Sequence, residues 1–120
     1  MSTLEVTVSV KRDGLSVPGF PWIRRLEVDE SQEFGVERAT GGGYVALPTS
    51  EMGEVQVLAL RSDKQVTLRL DGQSDAGIVI NAGGLVLLMD VDIDAGASTN
   101  ATLDNASGST ALVEGISGGT

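Results

Sequence analysis

The sequence contains no cysteine and no histidine. The first absence excludes disulfides and thiolate metal sites, and with them the small secreted scaffolds that depend on cross-links. The second removes the commonest general base, metal ligand and pH switch. Aromatic side chains are scarce: Phe20, Trp22, Phe34 and Tyr44 are the whole set, all in the first half. Basic residues stop at Arg69, so residues 71–120 hold seven acids and no cation, while residues 1–70 hold ten acids and eight bases. The two parts therefore carry net charges of −7 and −2. A total of −9 argues against binding nucleic acid or anionic membranes by bulk attraction. The longest unbroken apolar run, Leu85 to Met89, falls far short of the roughly 20 residues that cross a bilayer. Met1 to Val10 alternates polar and apolar residues, which predicts a strand and not a signal peptide.

What remains is a chain of 120 residues with 41% apolar content and sixteen glycines. That length suits one domain, residues 1–120, and the apolar fraction is ordinary for a folded protein. With so few aromatics the core must rest on Val, Leu and Ile, which favours strands. Period-two alternation recurs: Leu4, Val6, Val8 and Val10 face one way, Phe34 and Val36 another strand's inner side, and Val66, Leu68 and Leu70 a third. Glu54 to Arg61 is apolar on both faces and predicts a strand in the middle of a sheet. Ile23, Leu26 and Val28 predict a strand from Trp22 to Asp29 with an irregularity at Arg24-Arg25. Gly41-Gly42-Gly43 leads into Tyr44 to Leu47 and predicts a glycine-loop hairpin with the preceding strand. Thr49-Ser50-Glu51 is compatible with a single helical turn that Gly53 stops. Later strands are expected at Ile78 to Ile80, Leu85 to Ile93, Ala101 to Leu103 and Thr110 to Glu114. The pattern predicts an all-β fold, an antiparallel β-sandwich or jelly roll of roughly eight to ten short strands.

Asp90-Val91-Asp92-Ile93-Asp94 is the one metal-like constellation, since hard cations want clustered carboxylates. Its spacing copies the start of an EF-hand loop, but glycine comes one place late, at Gly96, and Ala101 stands where the bidentate glutamate belongs. Val91 and Ile93 continue the alternation of Leu87 and Met89, so Asp90, Asp92 and Asp94 equally describe the solvent face of a strand. Three like charges on one face would repel, and that repulsion keeps calcium in view. Asn100-Ala101-Thr102 and Asn105-Ala106-Ser107 match the glycosylation acceptor pattern, although asparagine-rich turns account for both. The glycine clusters lack the lysine and helix of a phosphate loop. A serine nucleophile would lack a histidine base. Asp71 with Asp75 is a carboxylate pair without the aromatic platform a sugar needs. The expectation is a protein without enzymatic activity and without a cofactor. Phe20-Pro21-Trp22-Ile23-Arg24-Arg25 is the best contact candidate. Its aromatics Phe20 and Trp22 either plug one end of the fold or join Arg24 and Arg25 as interface anchors for an acidic partner.

Several phrases resemble small structural proteins of tailed bacteriophages: Val66-Thr67-Leu68-Arg69-Leu70-Asp71-Gly72-Gln73, Gly77 to Leu85, Asp94 to Asn100, and the ending Glu114 to Thr120. The resemblance covers about the last two thirds of the chain and carries no catalytic signature. It implies a compact β-sandwich in the virion, made in the host cytoplasm. A capsid decoration or cement protein is the first expectation, with itself (a trimer) and the major capsid or other virion proteins as partners. A neck, tail or fibre component is the alternative, and a carbohydrate- or calcium-binding module a third. No nucleic-acid or membrane partner is expected.

Overall fold

The computed structural model describes residues 2–41, 44–47, 52, 54–70, 77–93 and 102–120. It is all-β, with twelve strands and no helix among the described residues. They are β1 (Ser2–Val8), β2 (Lys11–Arg12), β3 (Leu15–Ser16), β4 (Trp22–Val28), β5 (Glu30–Arg38), β6 (Tyr44–Ala46), β7 (Val55–Ser62), β8 (Val66–Arg69), β9 (Ile78–Ile80), β10 (Leu85–Ile93), β11 (Thr102–Asp104) and β12 (Ala111–Gly119). One four-stranded antiparallel sheet runs β10-β7-β12-β5 and a second runs β6-β11-β8-β9. β1 pairs with β4 as a two-stranded ribbon, and β2 with β3 as a short hairpin beyond it.

The alternation dictates where the core sits. Leu58 and Leu60 of β7, Ala111 and Val113 of β12, Val66 and Leu68 of β8, Ile80 of β9 and Leu103 of β11 fall in one buried cluster. Both four-stranded sheets thus contribute to a single core, and Phe34, Val36, Val86 and Leu88 pack against it from β5 and β10. On the opposite face of β7, Val57 is also buried, although it lies outside that cluster. Its cover is the β1–β4 ribbon, whose Leu4 and Val28 stand over Gly118, the register partner of Val57. The ribbon is therefore a third layer over one end of the first sheet. The Cα radius of gyration, 14.8 Å, exceeds the about 13.6 Å expected of a compact chain of this length.

The two four-stranded sheets are stitched where the chain passes between them. Asn105, 3% exposed, donates from Nδ2 to the carbonyls of Arg38 (2.7 Å) and Ser109 (2.8 Å). Its Oδ1 accepts from the Ser107 amide and hydroxyl, and its own carbonyl accepts from Gly41 N at 3.0 Å. One side chain thus ties the end of β5 to the β11–β12 turn, with every donor and acceptor used.

Four expectations need correction. β5 and β6 form no hairpin: β5 pairs with β12 and β6 with β11, so the glycine segment carries the chain between sheets. β4 is regular throughout its pairing with β1, and the break in apolar pattern arises because Ile23 points outward, 62% exposed. The irregularity lies in β10 instead, where the register with β7 jumps between Met89 and Ile93 and Asp90 adopts φ 57°. β12 runs on to Gly119 through residues that look like a turn. Its glycines are required by close approach: a Cβ on Gly115 would fall on the Ala59 carbonyl oxygen, and one on Gly119 on that of Glu54. The twelve strands exceed the expected eight to ten, two of the surplus being the two-residue strands of the hairpin. The segments around Thr49 to Glu51, Asp71 to Asp75 and Asp94 to Asn100 lie outside the described residues, as does the Asp92 side chain.

Candidate functional site

Alternation makes β1 and β4 a ribbon, and Asp13-Gly14 closes it. Asp13 (φ 53°) and Gly14 (φ 80°) adopt the paired left-handed conformations of a type I′ hairpin turn. Lys11 pairs with Ser16 and Arg12 with Leu15 across it, and Val17 N donates to Val10 O at 3.0 Å. Every residue from Ser9 to Ser16 is exposed, including Leu15 at 75%. The result is an arm with a hydrogen-bonded backbone, an exposed leucine beside its turn and two cations. Asp-Gly is the strongest short hairpin signal, yet the strand expected from Met1 to Val10 came with no hairpin beyond it.

The four anchors expected of Phe20 to Arg25 are distributed along the ribbon. Phe20 precedes β4, half-buried, and its amide donates to Val17 O at 3.0 Å. Trp22 and Arg24 share the ribbon face that holds Leu26 and Val28, with Trp22 opposite Val8. Arg25 lies on the other face beside Ile23. Each arginine holds a carboxylate of its own chain. Arg25 Nε donates to Glu5 Oε2 at 2.5 Å, across the ribbon. Arg24 donates to Asp90 Oδ2 from Nε (2.8 Å) and from Nη2, joining the ribbon to the β10 bulge. The two strongest sequence constellations therefore meet each other, and the guanidinium supplies Asp90 with the counterion that the calcium argument sought.

The outer face of the first sheet, beyond the ribbon, is a second surface. Registers place Leu85, Arg61 and Glu114 in one row and Leu87, Ala59, Ile116 and Glu33 in the next. Ala59 is small, so Leu85, Arg61, Glu114 and Ile116 wall a hollow of about 270 Å³ above it. Leu85 is 67% exposed, and Leu112 continues the apolar strip. Glu33, Glu37 and Glu114 rim the strip on the β5 side, all exposed. Sequence reasoning missed this surface because it depends on which strands flank β12.

Among the described residues no cluster of three or more His, Cys, Asp or Glu is placed to hold a metal ion. Asn105 of the second glycosylation pattern has its amide nitrogen buried and hydrogen-bonded, so that acceptor atom is sequestered. Among the described residues no helix is long and apolar enough to cross a membrane. Compared with protein-family models, curated proteins and solved structures, the chain matches none.

Proposed function

We propose that this protein is a non-enzymatic structural component of a tailed-bacteriophage virion. In this reading it is a capsid decoration or cement protein that forms homo-oligomers, with three copies as the working order, and stabilises the capsid lattice by protein–protein contacts. The two four-stranded sheets around a shared core are read as the leaves of a β-sandwich, and the ribbon as the layer that reaches outward. The observation that carries the reading is the arm from Ser9 to Ser16, every residue of which is exposed. A leucine beside the turn of a hydrogen-bonded hairpin is already ordered before contact, so little conformational entropy opposes its burial. Covering a leucine such as Leu15 contributes about 1.5–3 kcal/mol. The phage-like phrases at Val66 to Gln73, Gly77 to Leu85 and Glu114 to Thr120 supply the second support.

Size-exclusion chromatography with light scattering, together with immunogold labelling of phage particles from the strain that carries the gene, tests this. An oligomer whose label decorates the head is expected. Label confined to neck, tail or fibres would replace the capsid role with the alternative virion role. A monomer at high micromolar concentration, with no label on any particle, would overturn the reading.

A further inference from the structure

We propose that the β2–β3 arm of one copy docks on the acidic-rimmed apolar strip of a second copy, with Leu15 seated in the hollow above Ala59. This inference rests on the self-association proposed above and names its contact. The arm offers a leucine with Lys11 and Arg12 beside it, countered only by Asp13. The strip offers a hollow of about 270 Å³ walled by Leu85, Ile116, Glu114 and Arg61, with Glu33 and Glu37 beyond it on β5, so that Arg61 is the one opposing charge. Neither Lys11 nor Arg12 makes an ion pair within the described residues, and neither do those three glutamates. The cations and the carboxylates are thus available to one another. Opposite charges set the register and rate of encounter, and the buried leucine supplies the anchor.

Arm and hollow are different surfaces, so the contact is heterologous unless two copies exchange arms about a two-fold axis. Such a contact builds a ring when its rotation closes, which is how three copies would assemble, and a filament when it does not.

The absence of native cysteine makes the test free of background. Copies carrying Leu15→Cys are mixed with copies carrying Leu85→Cys under mild oxidation and run on a non-reducing gel. The mixed pair is expected to give a cross-linked dimer, whereas Leu15→Cys with Ile78→Cys, an exposed position on β9, gives none. In parallel, Leu15→Asp is expected to raise the self-association Kd at least about 30-fold, the effect of losing an interface anchor. Arg12→Glu weakens association, and Arg12→Glu combined with Glu114→Arg restores it. These positions are exposed, and unchanged circular dichroism confirms the fold. An oligomer that survives Leu15→Asp and fails to cross-link overturns the docking while leaving self-association intact. A chain that stays monomeric at every concentration overturns both.

Discussion

Asn105→Asp changes the shape of one side chain hardly at all and its chemistry completely. The wild-type Nδ2 places its two hydrogens on the carbonyls of Arg38 and Ser109, 2.7 and 2.8 Å away. The substitution puts an acceptor oxygen against both. Two hydrogen bonds are lost, each worth about 1 kcal/mol net, and two carbonyls are left facing an acceptor instead of a donor. Burying a carboxylate that keeps only the Ser107 amide and hydroxyl as donors adds more, so the total comes to about 4 kcal/mol at neutral pH. That is a large share of the 5–15 kcal/mol typical of a domain. The burden depends on pH with a definite sign. Burial and the two facing carbonyls outweigh the Ser107 donors, so the folded pKa of the introduced carboxyl rises above the ordinary value of about 3.9. The penalty is therefore smallest below that ordinary value and grows as pH rises through it, reaching its full size above the raised folded value. Urea unfolding followed by circular dichroism measures this at both ends of the range. With a slope of about 2 kcal/mol per molar, the midpoint should fall by about 2 M at pH 7 and by clearly less near pH 4. A midpoint within about 0.3 M of wild type at pH 7, or an equal loss at both pH values, would refute the assigned role of Asn105 as the tie between the sheets.

Gly115→Ala drives a methyl group onto the Ala59 carbonyl, a collision between backbones that no rotamer relieves, and should lower stability by 3 kcal/mol or roughly more. Gly35→Ala one register step away meets only Glu114 Cγ at 3.8 Å and should be neutral or slightly stabilising; equal denaturation midpoints for the two variants would contradict the packing described. A double-mutant cycle with Arg24→Ala and Asp90→Ala should give a coupling of about 0.5–1 kcal/mol that shrinks with added salt, as for an ion pair nearly half exposed; a salt-independent coupling would contradict a surface ion pair. Millimolar calcium should leave the melting temperature unchanged, because Arg24 already neutralises Asp90; a gain near 2.7 kcal/mol, which a site filled at 100 times its Kd provides, would reinstate the ion-site reading.

The alternation of β1, β5 and β8, and the two-sided apolar character of β7, were legible in the sequence because each is a property of one strand. Partner choice was not. Nothing local to Gly41 or Tyr44 tells that β5 prefers β12, seventy or more residues away, over the nearer β6. The end of β12 was hidden by composition: Ser117-Gly118-Gly119 resembles a turn until Leu4 and the Glu54 carbonyl occupy the space a side chain would need. Asp90 deceived in the opposite direction, since regular spacing of aspartates masked a left-handed residue at a bulge. Phe20, Trp22, Arg24 and Arg25 were visible as a cluster along the chain, but β-pleating sends Arg24 and Arg25 to opposite faces. Asp13-Gly14 signals the arm but was not read as a hairpin; the hollow carries no local signal, because its walls come from β7, β10 and β12.

The place of β12 bears on how the protein comes into being. Among the described residues it is the last of the twelve strands in chain order, yet it lies between β5 and β7 and joins them into one sheet. Until residues 111–119 have been synthesised, both of those strands must wait with an open flank, and β5 has no neighbour in its sheet. Folding of that sheet therefore waits for residues 111–119 and is governed by distant pairings, which are slow to form. During the wait, the unsatisfied edges of β5 and β7 are attractive to one another's counterparts on other nascent chains, so crowded synthesis is the moment of greatest aggregation risk. A separate peptide spanning β12, supplied to a chain that stops before Ala111, would compete for the same slot and report how long it stays open.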